Sequence, residues 1–211
     1  MDQLELSLAM VAGVAAAGLQ AAGFALIAVA VMRGRVRPNR YSWLIWSVVA
    51  ALAAASSWQA GATWPLAGAA MNALGCIAIL VLALQRGRHA RNRTDTTCLT
   101  VAAAGVALWL LTNQPVIGLL FFLLADASGA VPTIRGVAAD PFAESAVGWS
   151  ILALAGAAAV ISVEAPQWVW SWEGFGHWGG AVYVALVNLV IVTSIGLARL
   201  GRRLAASVGR A

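Results

Sequence analysis

The chain has 211 residues, 62% of them hydrophobic and 10% charged, with a mean hydropathy of +0.85. A soluble globular domain carries an apolar share near half and a charged share near a quarter, so that class is excluded. All 13 basic side chains are arginine and none is lysine, which rules out retinal or pyridoxal held as a Schiff base.

A bilayer core about 30 Å thick takes about 20 apolar residues as helix, because irregular backbone in lipid leaves its amides unpaired. Seven such stretches are predicted, at 6–32, 42–61, 65–85, 97–113, 115–134, 146–164 and 178–200. The first opens with Asp2 and Glu5 rather than a basic segment, so it reads as a span and not as a cleavable signal. Pro65 and Pro115 sit at helix starts, where a missing N–H is harmless, and this makes Gly61–Trp64 and Thr112–Gln114 tight turns. Pro132, inside the fifth span, frees a carbonyl and predicts a kink that can act as a hinge. Glycines such as Gly13, Gly68, Gly75, Gly148 and Gly156 let helix backbones approach closely. The predicted fold class is an all-α integral membrane protein.

The arginines form four groups: four between Arg33 and Arg40, four between Arg86 and Arg93, Arg135 alone, and four between Arg199 and Arg210. With seven spans, all of them fall on one face. The positive-inside rule then puts the N-terminus outside and the C-terminus in the cytoplasm of a bacterial plasma (inner) membrane. That asymmetry accounts for the pI near 10.6, so nucleic acid is not an expected partner. Cys76 and Cys98 both fall near the arginine-rich side, where thiols stay reduced, and read as free. Trp43, Trp46, Trp64, Trp149, Trp168, Trp170, Trp172 and Trp178 lie near the span boundaries and read mainly as an interfacial aromatic belt.

The chain also repeats. Pro38, Ser42, Trp46 and Ser47 match Pro141, Ser145, Trp149 and Ser150 at one offset of 103 residues. Asn72 and Asn188, the asparagines embedded well inside spans, match at an offset of 116. The difference is an insertion in the outer loop that holds Trp168, Trp170 and Trp172. Spans one to three (residues 1–94) therefore correspond to spans five to seven (115–211), with a linker helix in 95–114. An odd linker makes the two trios run the same way through the membrane, and a cleft along their common axis is where repeat transporters hold substrate.

Asp126 lies 11 residues past Pro115, about 16 Å into the bilayer at 1.5 Å per residue. An acid at that depth costs several kcal/mol unless paired or protonated, so it is a candidate for proton coupling; the plain alternative is a permanently protonated side chain bonded to a neighbouring helix or to Ser128. Asn72 and Asn188 can each fix a polar solute with two donors and an acceptor, or serve as interhelical glue. Trp58 can stack on an apolar or cationic ligand face, or act as an interfacial anchor. His89 and His177 fall in opposite loops, and no cluster has metal-ligand spacing, no glycine loop cradles phosphate and no nucleophile has a base in motif range. Neither an enzyme nor a cofactor or metal is expected.

Leu-Ala-Asp126-Ala-Ser-Gly129-Ala-Val-Pro132-Thr133-Ile-Arg135 followed by Glu144-Ser145 resembles the SWEET and PQ-loop superfamily of membrane transporters, in which a first repeat helix ends in Pro-Gln and a basic residue before a short loop. The resemblance implies the three-one-three arrangement, alternating access, and a pocket lined by a Trp late in the second helix and an Asn in the third. Trp58 and Asn72 match those positions in the first repeat and Asn188 in the second, where Ile161 stands at the Trp position; Thr133 replaces the Gln. Asp126 resembles the acid that proton-coupled relatives carry in their fifth helix. The function expected is transport of a small polar solute, with protons as a second cargo; a nicotinamide-riboside-type vitamin is one such solute. The alternative is a non-transporting receptor or assembly factor that uses the Trp-rich outer loop, residues 165–178, to dock a partner.

Overall fold

The computed structural model describes residues 3–59, 64–88, 92–112, 115–163 and 171–208. Among them are seven helices: α1 (Gln3–Met32), α2 (Arg40–Gln59), α3 (Trp64–Arg86), α4 (Arg93–Leu111), α5 (Pro115–Ala139), α6 (Ala146–Ile161) and α7 (Trp172–Val208). No strand occurs among the described residues, only an isolated bridge between Asn39 and Arg88. Five helices contain segments long and apolar enough to cross a bilayer, while the apolar runs of α2 and α6, Arg40–Ala55 and Ala146–Ile161, are shorter. The chain is an all-α membrane protein.

The fourth helix starts at Arg93 rather than 97, the first and sixth differ from the predicted bounds by three residues at one end, and two helices differ more. The fifth continues past Pro132 to Ala139, and the seventh begins at Trp172, so the last seven residues of the expected outer loop are the first turns of α7. Trp168 and Trp170, like most of the two tight turns, lie outside the described residues.

The helix ends are set by local chemistry. Gly34, at φ +67, closes α1 in a Schellman arrangement in which Arg35 N–H donates to Ala30 O and Gly34 N–H to Val31 O, both at 2.9 Å. Asn39 Oδ1 accepts from the amides of Tyr41 (2.8 Å) and Ser42 (3.4 Å) and caps α2. Asn92 and Asp95 form a reciprocal capping box on α4, and Ser145 Oγ accepts from Gly148 N–H at the start of α6.

Within the first trio α1 and α2 each pack on α3; within the second α5 and α6 each pack on α7. Between the trios α1 packs on α6 and α2 on α5. Exchanging α1 with α5, α2 with α6 and α3 with α7 returns the same set of neighbours. The linker helix α4 lies outside this arrangement, against α5 and, lightly, α2. Its seam is a small separate cluster of Ile45, Val49, Cys98, Ala102 and Ala125. Large apolar side chains such as Leu8, Val11, Leu110, Leu111 and Leu197 cover the outside, as a chain whose solvent is lipid requires.

Glycines permit the closest approaches. A Cβ on Gly148 would fall 3.2 Å from Gly23 O, across the α1–α6 seam. A Cβ on Gly156 would fall 2.7 Å from the Ala185 Cα, so α6 rides directly on the α7 backbone.

At the arginine-bearing end the connections interlock. Arg37 N–H donates to Ala143 O at 3.0 Å, joining the loop after α1 to the loop after α5. Pro38 and Pro141, aligned by the repeat, each have their carbonyl held by an arginine at the close of the same trio: Arg88 N–H at 3.2 Å and Arg199 Nε–H at 3.0 Å. Asn39 Nδ2 also donates to Asp95 Oδ1 at 3.0 Å, which fastens α2 to the linker helix.

The α6–α7 contact is backbone against side-chain stub, which leaves nothing flexible to move aside. Gly156→Val should therefore lower the melting temperature of the detergent-solubilised protein by an amount equivalent to about 1–3 kcal/mol. Gly196→Val, at a position with nothing within 4 Å, should stay within about 0.5 kcal/mol of the unaltered chain.

Candidate functional site

Between the trios lies a cavity of about 50 Å³ that takes side chains from every helix except α4. Gln20 and Phe24 come from α1, Trp43 and Trp46 from α2, and Asn72 and Cys76 from α3. The second trio adds Asp126 from α5, Trp149 and Leu152 from α6, and Asn188 with two valines from α7. The volume admits a few waters and no solute of hexose size.

The polar members share a depth. Gln20, Asn72, Asp126 and Asn188 lie 13, 14, 9 and 11 residues from Arg33, Arg86, Arg135 and Arg199 on their own helices. At 1.5 Å per residue that is about 13–21 Å, near the centre of a bilayer. The tryptophans lie closer to the arginine-bearing end: Trp46 stands in the second turn of α2 and Trp149 in the first turn of α6. They form a floor beneath the polar ring.

That floor is three indoles in mutual contact. Ring centroids are 5.2 Å apart for Trp43–Trp46, 5.7 Å for Trp43–Trp149 and 5.5 Å for Trp46–Trp149, and Phe24 meets Trp43 edge-on at 6.2 Å. Trp46 and Trp149 are the repeat-related pair, so the two trios touch through matching residues. Gly129 makes room for this: a Cβ there would stand 2.7 Å from Trp46 Nε1.

The Asp126 carboxylate accepts a hydrogen bond from the Tyr183 hydroxyl at 2.9 Å. Its backbone carbonyl accepts from Trp46 Nε1–H at 3.1 Å. Ser128 turns away, its hydroxyl donating to Ala125 O at 2.6 Å. Asn188 Nδ2 reaches Leu152 O at 3.4 Å, and the Cys76 thiol lies 4.0 Å from Asn72 Oδ1. No arginine lines the cavity. Gln20 Oε1 and Trp43 Nε1 are buried with no hydrogen-bond partner among the described residues. An unpaired polar atom away from water costs about 1–3 kcal/mol.

Asn72, Asn188 and Asp126 thus share one cavity, whereas Trp58 does not: its side chain is 73% exposed on the outside of α2. Twelve residues at 100° each turn it about 120° away from Trp46. The aromatic wall expected there is supplied instead by Trp43, Trp46 and Trp149, which are buried rather than part of a boundary belt. Depth alone does not separate a belt tryptophan from an inward one; the three-residue spacing of Trp43 and Trp46, which puts both on one face, was the available signal. Gln20 was also missed, although it is an amide embedded mid-span as the two asparagines are. Pro132 lies in an uninterrupted α5 and lines a separate polar recess with Arg88 and Arg135, away from the cavity. Both cysteines are free and buried. Among the described residues no three His, Cys, Asp or Glu side chains gather together; His89 lies outside them.

Trp149 is held from below. Its Nε1–H donates to Glu144 Oε2 at 3.0 Å, and Glu144, in the loop before α6, is buried. Burial pushes the Glu144 carboxyl up from 4.5 to about 7, against the opposing pull of the Trp149 N–H and of Arg88. A raised carboxyl favours the folded state while protonated. Its contribution is full below the ordinary value and is lost as pH rises through about 7. The melting temperature should therefore fall between about pH 5 and 8, and Glu144→Gln should flatten that slope. A slope unchanged in the variant would assign the effect to another group.

No protein-family model, curated protein or solved structure matches the chain.

Proposed function

We propose that this protein is a carrier that moves a small polar solute by alternating access through the cleft between its two helical trios, with a proton handled at Asp126. One observation carries the reading: a mid-membrane carboxylate and two asparagines, one from each trio, face a single cavity built by six helices. Residues serving only as glue between neighbouring helices have no reason to converge on one space.

The neighbour pattern supports it as well. When the two trios have the same internal packing and meet through α1–α6 and α2–α5, one can rock against the other with no helix left unpaired. In the orientation given by the arginines, the tryptophan floor and the Arg37–Ala143 bond close the cytoplasmic end, and the N-terminus lies outside the inner membrane. The cavity is small here because the trios are drawn together; solute enters as they part. The match of Asn72 and Asn188 to the pocket positions of the SWEET and PQ-loop superfamily agrees with this scheme. The receptor reading depends on a loop whose Trp168 and Trp170 are not described, whereas the convergence of Gln20, Asn72, Asp126 and Asn188 on one cavity favours the carrier.

Asp126 has a phenol as its partner and no cation, so it can take up and release a proton without breaking an ion pair. Purified protein in liposomes, assayed with labelled sugars, amino acids and nucleosides, should show flux that a pH gradient alters. Asp126→Asn should abolish that pH effect, Asn188→Ala should slow flux by about tenfold, and Trp58→Ala should leave it unchanged. Equal flux in Asp126→Asn under every gradient would remove the carboxylate from the mechanism, and unchanged flux in Asn188→Ala would remove the cavity.

A further inference from the structure

The charge balance of the cavity narrows the solute. Among the described residues it contains one carboxylate and no basic side chain, and the hydrogen bond to that carboxylate comes from a neutral hydroxyl. An anion would be repelled. A neutral polyol would satisfy hydrogen bonds but leave the acid to find a proton. A cation supplies the missing partner directly.

The walls point the same way. Three indoles line one small volume, packed against one another, and an indole is the best aromatic acceptor of a positive charge. In the closed arrangement Trp43 meets Trp46 at 81° and Trp46 meets Trp149 at 66°, so the positive edge of one ring already rests on the negative face of the next. Trp46 and Trp149 belong to different trios, so a cation entering as the trios part takes the place of the edge between these two. Gln20 Oε1, an acceptor, and Trp43 Nε1–H, a donor, remain unpaired beside it and call for a solute that can also donate and accept hydrogen bonds.

We propose that the cavity binds a small organic cation bearing a hydrogen-bonding group, its positive charge set between the Asp126 carboxylate and the indoles of Trp46 and Trp149. The proposal rests on the carrier reading for passage across the membrane, though not for binding.

Binding to the protein in nanodiscs tests it, with choline and 3-hydroxy-N-methylpyridinium as probes and the uncharged tert-butyl analogue of choline as control. At least one cation should bind saturably and at least tenfold more tightly than the control. Asp126→Asn, nearly isosteric, should weaken that binding at least tenfold while keeping its melting temperature. Trp149→Phe should retain an intermediate affinity and Trp149→Leu lose it. Equal affinity for the uncharged analogue, no saturation by either cation up to about 10 mM, or undiminished binding in Asp126→Asn would each overturn the proposal. Cation binding without flux in liposomes would instead overturn the carrier and leave the cation site standing; flux of a neutral sugar with no cation binding would do the reverse.

Discussion

The contact between Trp46 and Trp149 ties the two halves of the molecule together between their α1–α6 and α2–α5 seams, and these rings form the floor of the cavity. Each indole also has its N–H committed: Trp46 to the Asp126 carbonyl, Trp149 to the Glu144 carboxyl. An indole at the membrane interface would find water or headgroup oxygens for its N–H and need neither bond. Buried between helices it needs both, because no water reaches in to replace them. The aromatic floor, the backbone of α5 and the loop before α6 are consequently one connected unit. A movement that separates the trios has to rearrange all three together.

Above that floor the constraint is different. Apolar packing can be made tight anywhere along a membrane helix, but polar side chains at mid-depth have few partners. Asp126 finds Tyr183, and Asn188 finds the Leu152 carbonyl at the long end of hydrogen bonding. Gln20 and Trp43 find none. A bundle selected for stability alone would carry apolar residues here, since a half-satisfied polar group costs more than a well-packed hydrophobe. The incomplete satisfaction of this ring is therefore a cost that the fold carries.

Much of the fold was legible along the chain. The seven helices follow from runs of apolar residues interrupted by arginine, proline and capping residues. Asn72, Asp126 and Asn188 stood out because a polar residue in the middle of such a run is expensive wherever it points. Trp58 was misplaced and Trp43, Trp46 and Trp149 were misread for a shared reason: each lies at a depth where a tryptophan is at home facing either lipid or protein. The late start expected for α7 came from reading its tryptophans as loop, when they form its first turns.

The division follows from the physics of the bilayer. Its thickness and its lack of water act on the chain one residue at a time, so the number of helices and the place of each polar residue along its apolar run were determined by the sequence alone. The direction a side chain faces is settled by which helices become neighbours, a matter of contacts between residues far apart in the chain. Only the tertiary structure could therefore turn Trp58 outward, bring Gln20 into the chamber, set α4 to one side, and join Trp149 to Glu144.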